Sequence, residues 1–133
     1  MPTTCHNPDR HYTVLVFGVA GAVGAGATVY PLPGTGTAAE AAAELKIPVA
    51  RTGTIRNLYV KMITAPAGAV VDTITVRKGA ADQTLEATVT AAATTGNDTA
   101  HSFAVVAGNE ISVKYVSGGG STAANVIVSM EMD

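Results

Sequence analysis

Hydrophobic and polar positions alternate through the C-terminal two-thirds of the chain, in short runs broken by turn chemistry. In Thr54–Ile63, Leu58, Val60 and Met62 share one parity while Asn57, Tyr59 and Lys61 share the other, the period of two that sends successive side chains to opposite faces of a strand. Asp72–Lys78 sets Ile74 and Val76 against Thr73, Thr75 and Arg77, and meets Gly79. Thr84–Thr90 points Leu85, Ala87 and Val89 inward and Thr84, Glu86, Thr88 and Thr90 outward, and its β-branched threonines suit a pleated surface. Ala92–Asp98 reads as a loop by composition. His101–Val106 then alternates His101, Phe103 and Val105 with Ser102 and Ala104, and a turn at Ala107-Gly108-Asn109 leads into a strand over Glu110–Val116. Asn125–Met132 closes the series with Val126, Val128, Met130 and Met132 on one side, after a wide hairpin loop over Ser117–Ser121 whose glycines allow positive φ.

The N-terminal third is less regular. Tyr12–Phe17 and Ala27–Tyr30 read as strands with a Gly/Ala hairpin between them. Thr37–Lys46 (TAAEAAAELK) is the one stretch with strong helix propensity, with Thr37 as cap, Glu40 three residues on and Pro48 as stop; over Thr37–Leu45 the reading stays open between one short helix and an extended clasp. At about three turns a helix needs packing to persist. The chain shows no internal repeat and no heptads. Short strands joined by turns, without helical crossovers, predict an all-β fold: an antiparallel jelly-roll or β-sandwich with at most one short N-terminal helix. An arm over residues 1–11 would precede a single domain over residues 12–133.

Composition narrows the function classes. At 133 residues the chain can bury a core without disulfide or metal staples. A net charge of −2 lacks the basic excess that neutralising phosphates demands, which argues against a nucleic-acid partner. Charged residues make up 14%, against roughly 25% in an average soluble domain, so sister subunits or a larger assembly are expected to cover part of the surface. The single cysteine, Cys5, permits no intrachain disulfide and no cysteine-based zinc site. Tyr12–Ala27 is apolar behind Arg10 and His11, but Asp9 offsets Arg10 and glycines at 18, 21, 24 and 26 interrupt a signal-peptide core. No segment reaches the roughly 20 apolar residues of a membrane helix.

Candidate chemistry is sparse. Val14–Gly26 (VLVFGVAGAVGAG) carries glycines after a strand, as a dinucleotide-binding turn does, yet Pro31 and Pro33 follow where a long helix is required. Cys5, His6 and His11 lie together near one end without partners at ligand spacing. His101 at a strand start suits a rim or hydrogen-bonded role better than a catalytic one. The carboxylates fall on outward positions and turns with no acid/base couple among them, and Asn97-Asp98-Thr99 reads as loop chemistry. A non-enzymatic protein with no cofactor and no metal is expected.

Several segments carry a resemblance. Ile47–Val60 leads from a proline through Gly53 into Ile55-Arg56-Asn57-Leu58-Tyr59-Val60; Ile74–Gly79 is similar to a "TVRKNG" turn with alanine replacing the usual asparagine-glycine; Thr94–Thr99 is similar to a polar loop; Val105–Lys114 is similar to a "V-x-A-G-D-x-I-S-V" hairpin. Together with the closing strand, these resemble the jelly-roll structural proteins of tailed bacteriophages, including capsid decoration proteins and fibre head domains with a TNF/C1q-like trimeric sandwich. The likeness runs from Tyr12 onward and rests on turn signatures rather than a chemical site. Asn109 stands where Asp would be usual, which weakens any cation at that turn.

The resemblance implies a homotrimer whose protomers pack side by side, burying Tyr59, Ile63, Tyr115 and Ile127. It also implies a capsid decoration, or cement, protein on the outer surface of a phage head, made in the host cytoplasm. Its partners would be itself and the major capsid protein, with no nucleic acid and no membrane. Thr3, Thr4, Cys5, His6, Asn7 and Arg10 of the arm are the expected capsid-docking residues. The alternative is a receptor-binding module of a tail fibre or baseplate, for which the chain lacks a shaft and, with no tryptophan, a stacking platform for sugars.

Overall fold

A computed structural model describes residues 12–34, 39–40 (backbone only) and 44–133. Among these the strands are β1 (Thr13–Ala22), β2 (Thr28–Tyr30), β3 (Leu32–Pro33), β4 (Ala39–Glu40), β5 (Ile47–Pro48), β6 (Gly53–Thr64), β7 (Val71–Lys78), β8 (Ala81–Thr90), β9 (Thr95–Val105), β10 (Glu110–Val116) and β11 (Ala124–Met132). They form two sheets, one ordered β3-β1-β11-β6-β9 and the other β4-β2-β10-β7-β8, with β5 also paired to β10.

This order is that of a jelly roll. The antiparallel pairs β1·β11, β2·β10, β6·β9 and β7·β8 are nested in the sequence like the rungs of one long hairpin. Successive rungs alternate between the sheets, so the hairpin is rolled into a double layer. Only its tip, β7–β8, is a tight hairpin, turning at Gly79-Ala80. The expected all-β sandwich is therefore present.

The alternation seen in the sequence faces inward as expected. Leu15, Phe17 and Val19 of β1, Leu58, Val60 and Met62 of β6, and Val126, Val128, Met130 and Met132 of β11 are buried. They pack in one core with Ile74 and Val76 of β7, Leu85, Ala87 and Val89 of β8, and Ile111, Val113 and Tyr115 of β10. Ile55 and Leu58 are of opposite parity, yet both are buried. Asn57 between them has φ 54°, and the β11–β6 register shifts here, with Tyr59 opposite Ser129 but Arg56 opposite Glu131. This bulge inserts the extra residue that returns both side chains to the core, and asparagine tolerates the left-handed conformation better than a β-branched residue does.

Three local expectations are corrected, and an open one is decided over Ala39–Glu40. The Gly/Ala stretch after β1 and the Ser117–Ser121 loop are not hairpins, because β1 and β2, like β10 and β11, belong to different sheets; each stretch carries the chain across the sandwich. Strand β9 begins at Thr95, so the segment read as a loop is half strand. No helix lies among the described residues. Within the helix-prone stretch, Ala39–Glu40 pairs with Val29 and Tyr30 of β2, while residues 37, 38 and 41–43 lie outside the described residues. Helix propensity is worth only tenths of a kcal/mol per residue, and the edge of β2 supplies hydrogen-bond partners that a short helix would forgo.

The β8–β9 side of the sandwich is closed by a close approach. A Cβ on Gly96 would collide with the backbone carbonyl of Thr88, which cannot swing away as a side chain would. Gly96→Ala should therefore destabilise the fold by about 2 kcal/mol through overpacking at this seam, measured by urea denaturation. A change below about 0.5 kcal/mol would show that the strands separate without penalty.

Candidate functional site

The strand parity that buries one face of β1, β11 and β6 defines what the opposite face displays. Register aligns Gly18, Ile127 and Lys61 in one row, Val16, Ser129 and Tyr59 in the next, and Val14, Glu131 and Arg56 in a third. Of these, Val14, Tyr59 and Ile127 are about half exposed, and Ile63 at the end of β6 is 76% exposed. Gly18 and Ala20 carry little or no side chain, so β1 forms the low floor of a groove walled by Ile63 and Ile127, with Lys61 and Asn125 at its rim. The charged groups around it are engaged within the chain. Arg56 pairs with Asp133 at 2.6 Å, Glu131 accepts from Asn57 Nδ2 at 2.8 Å, and Lys61 Nζ donates to Thr94 Oγ1 at 3.2 Å. The result is an outward-facing sheet surface on which exposed apolar side chains stand among charged groups already paired within the chain.

The outer face of the other sheet is polar and tied to itself. Arg77 bridges Glu44 and Asp82, both at 2.8 Å, and lies over the Tyr30 ring at 5.5 Å. Lys114 also pairs with Asp82, and the Ser112 hydroxyl donates to Glu44. Thr75 Oγ1 donates to Glu86 Oε2 at 2.8 Å. The hydrogen bond from Lys114, joined by Arg77, holds the Asp82 carboxyl below its ordinary range against burial. Burial pulls the Arg77 guanidinium down, and Glu44, Asp82 and Tyr30 more than restore it, leaving it raised.

Two carboxylates expected on outward positions are buried instead. Asp72 has no exposed surface. It accepts from the Tyr115 hydroxyl, from Ser121 Oγ at 2.8 Å and from the Gly118 N–H at 2.8 Å, tying the start of β7 to the β10–β11 crossing. Ser117 adds a second tie, accepting from the Ala27 N–H at 2.9 Å and donating to the Gly24 carbonyl. Burial, then the neighbouring Asp72 carboxylate, pushes the Tyr115 phenol far above its ordinary value. Asp98 accepts from the Glu86, Ala100 and His101 N–H groups at 3.0, 3.0 and 3.1 Å. His101 Nδ1 lies 2.8 Å from its Oδ2, so that ring nitrogen carries the hydrogen. Both carboxylates are saturated with donors from the fold and serve as structural anchors.

No protein-family model matches this chain, and no curated protein matches it.

Of the four residues expected at a trimer interface, the structure brings Tyr59, Ile63 and Ile127 together on the outer face of the five-stranded sheet. Tyr115 is the exception. It has the parity of Ile111 and Val113, is fully buried, and spends its hydroxyl on Asp72, so it cannot face a partner. Val14 was missed, although its parity opposite Leu15 and Phe17 placed it outward. Thr3, Thr4, Cys5, His6, Asn7 and Arg10 lie outside the described residues. His101 takes the hydrogen-bonded role expected of it, whereas Asn97-Asp98-Thr99 sits on a strand rather than a loop. Asn109 Oδ1 accepts from the Val106 N–H at 2.9 Å, closing its turn internally. Among the described residues, no three His, Cys, Asp or Glu side chains converge to hold a metal ion, and no helix is long and apolar enough to cross a membrane.

Proposed function

We propose that this chain is a structural, non-enzymatic protein of a phage particle: a homotrimeric capsid decoration protein that docks on the shell built by the major capsid protein. The observation that carries the reading is the apolar outer face of the five-stranded sheet. Tyr59, Ile63 and Ile127 stand exposed there in successive rows, with Val14 further along β1, where a solvated sheet face would be expected to be polar. Clustered exposed apolar side chains mark association surfaces, and closed rotational symmetry lets such a face meet a different surface of the next copy around a ring. The jelly roll, the low charge and the turn signatures shared with phage structural proteins support the same reading. The buried carboxylates add no reactive group, since both are saturated by structural donors.

Sedimentation equilibrium should give about three times the mass of one chain, and Ile63→Asp combined with Ile127→Asp should give a monomer with an unchanged circular dichroism spectrum. A monomeric wild type would overturn the trimer. In purified particles, mass spectrometry should find this chain at an abundance comparable to the major capsid protein. A trace ratio would move the reading to a fibre or baseplate module.

A further inference from the structure

Consecutive strands β8 and β9 end their respective sheets, so on this side two edges meet, each with backbone groups that no neighbouring strand can pair. Asp98 joins them. Its Oδ2 accepts the Glu86 N–H from the β8 edge at 3.0 Å, while its Oδ1 accepts the Ala100 and His101 N–H groups at 3.0 and 3.1 Å, within the stretch of β9 between Asp98 and Ser102 where the register with β6 shifts. The carboxylate is 8% exposed. We infer that Asp98 is an acid-released lock on the seam between the two sheets, a device independent of the proposed role in a particle.

The lock requires the charged carboxylate. Three backbone donors and the His101 ring occupy its two oxygens, and a proton placed on either would take an acceptor position that one of these donors now uses. His101 is the ionisable side chain in contact with it. From β8 the Glu86 carboxylate is committed to Thr75 Oγ1; from β6 the facing residue is Leu58. Burial alone would raise the Asp98 carboxyl, but the Glu86 N–H, the His101 ring and the two local N–H groups outweigh it and hold it below the ordinary value. A carboxyl depressed in the folded state contributes stability above its unfolded pKa, about 3.9. That contribution is lost as the pH falls through the folded value. The seam should open first because local opening draws on the least protected contacts, and Asp98 bridges the two edges here.

Amide hydrogen exchange followed by NMR tests the lock. Between pH 7 and about pH 2.5, the protection factor of the Glu86 amide should fall at least tenfold relative to amides of the β7–β10 pairing, after correction for intrinsic rates. Asp98→Asn offers one acceptor oxygen in place of two. The Ala100 and His101 amides, adjacent in sequence, should retain it, so at pH 7 Glu86 should already be released to the same degree and lose its dependence on acid. If Glu86 keeps its protection in acid while the fold persists, the lock is overturned. Should the whole fold open together in acid, the variant at pH 7 decides: a Glu86 amide as protected there as in the wild type overturns the lock equally.

Discussion

Asp72→Ala should destabilise the fold by about 3 kcal/mol. The substitution leaves the Tyr115 hydroxyl, the Ser121 hydroxyl and the Gly118 N–H without their acceptor at one end of the sandwich, and each buried orphan costs roughly 1–3 kcal/mol. Relief from burying the carboxylate itself offsets part of the sum, as does any water that enters. Urea denaturation measures the loss, and an unchanged m-value would confirm that the denatured state is not the source. Tyr115→Phe removes only one donor and leaves Asp72 two others, so about 1 kcal/mol is expected. If Asp72→Ala costs less than Tyr115→Phe, the carboxylate is not the hub.

Leu58 and Tyr59 are neighbours in sequence with opposite assignments, and the contrast is measurable. Leu58→Ala opens a cavity in a fully buried position and should cost about 3 kcal/mol, within the usual range of 2–5 for such truncations. Tyr59→Ala, on the exposed face, should change the stability of the isolated protomer by less than about 0.5 kcal/mol. It should nevertheless weaken self-association, seen as a shift of the sedimentation profile toward monomer at a fixed concentration. An equal loss of protomer stability in both variants would mean that the outer face is not a separate surface. Because the two residues are adjacent, any difference reflects the side of the sheet rather than the strand.

Most of the secondary structure was legible because it depends on local alternation. Parity makes the strands from β6 to β11 readable, except for the first part of β9, and with them much of the core. The same parity also held information that was not used. Asp72 shares a face with Ile74 and Val76, and Tyr115 shares one with Ile111 and Val113, so both belonged inside before any contact was known. An acidic residue and a tyrosine, taken singly, suggest a surface instead. The β6 bulge is not legible in this way: Asn57 permits a shift of parity, but only pairing with β11 requires one.

Local alternation is enough for the fold class, most of the inward faces and the outward position of Tyr59, Ile63 and Ile127, since a period of two assigns a side chain to one face wherever the strand lies. Tertiary structure alone decided which strands are neighbours. Hairpins and sheet-to-sheet crossings use the same glycine and serine turn chemistry, so the loops after β1 and β10 became crossings only through the nested pairing of β1 with β11 and β2 with β10. It also decided the fate of Ala39–Glu40, where a partner strand outweighed a weak helix propensity. It brought Asp98 to the β8 edge and Asp72 to the Tyr115 hydroxyl as well. Such long-range contacts depend on the closure of the whole roll, and no local window of the sequence contains both partners.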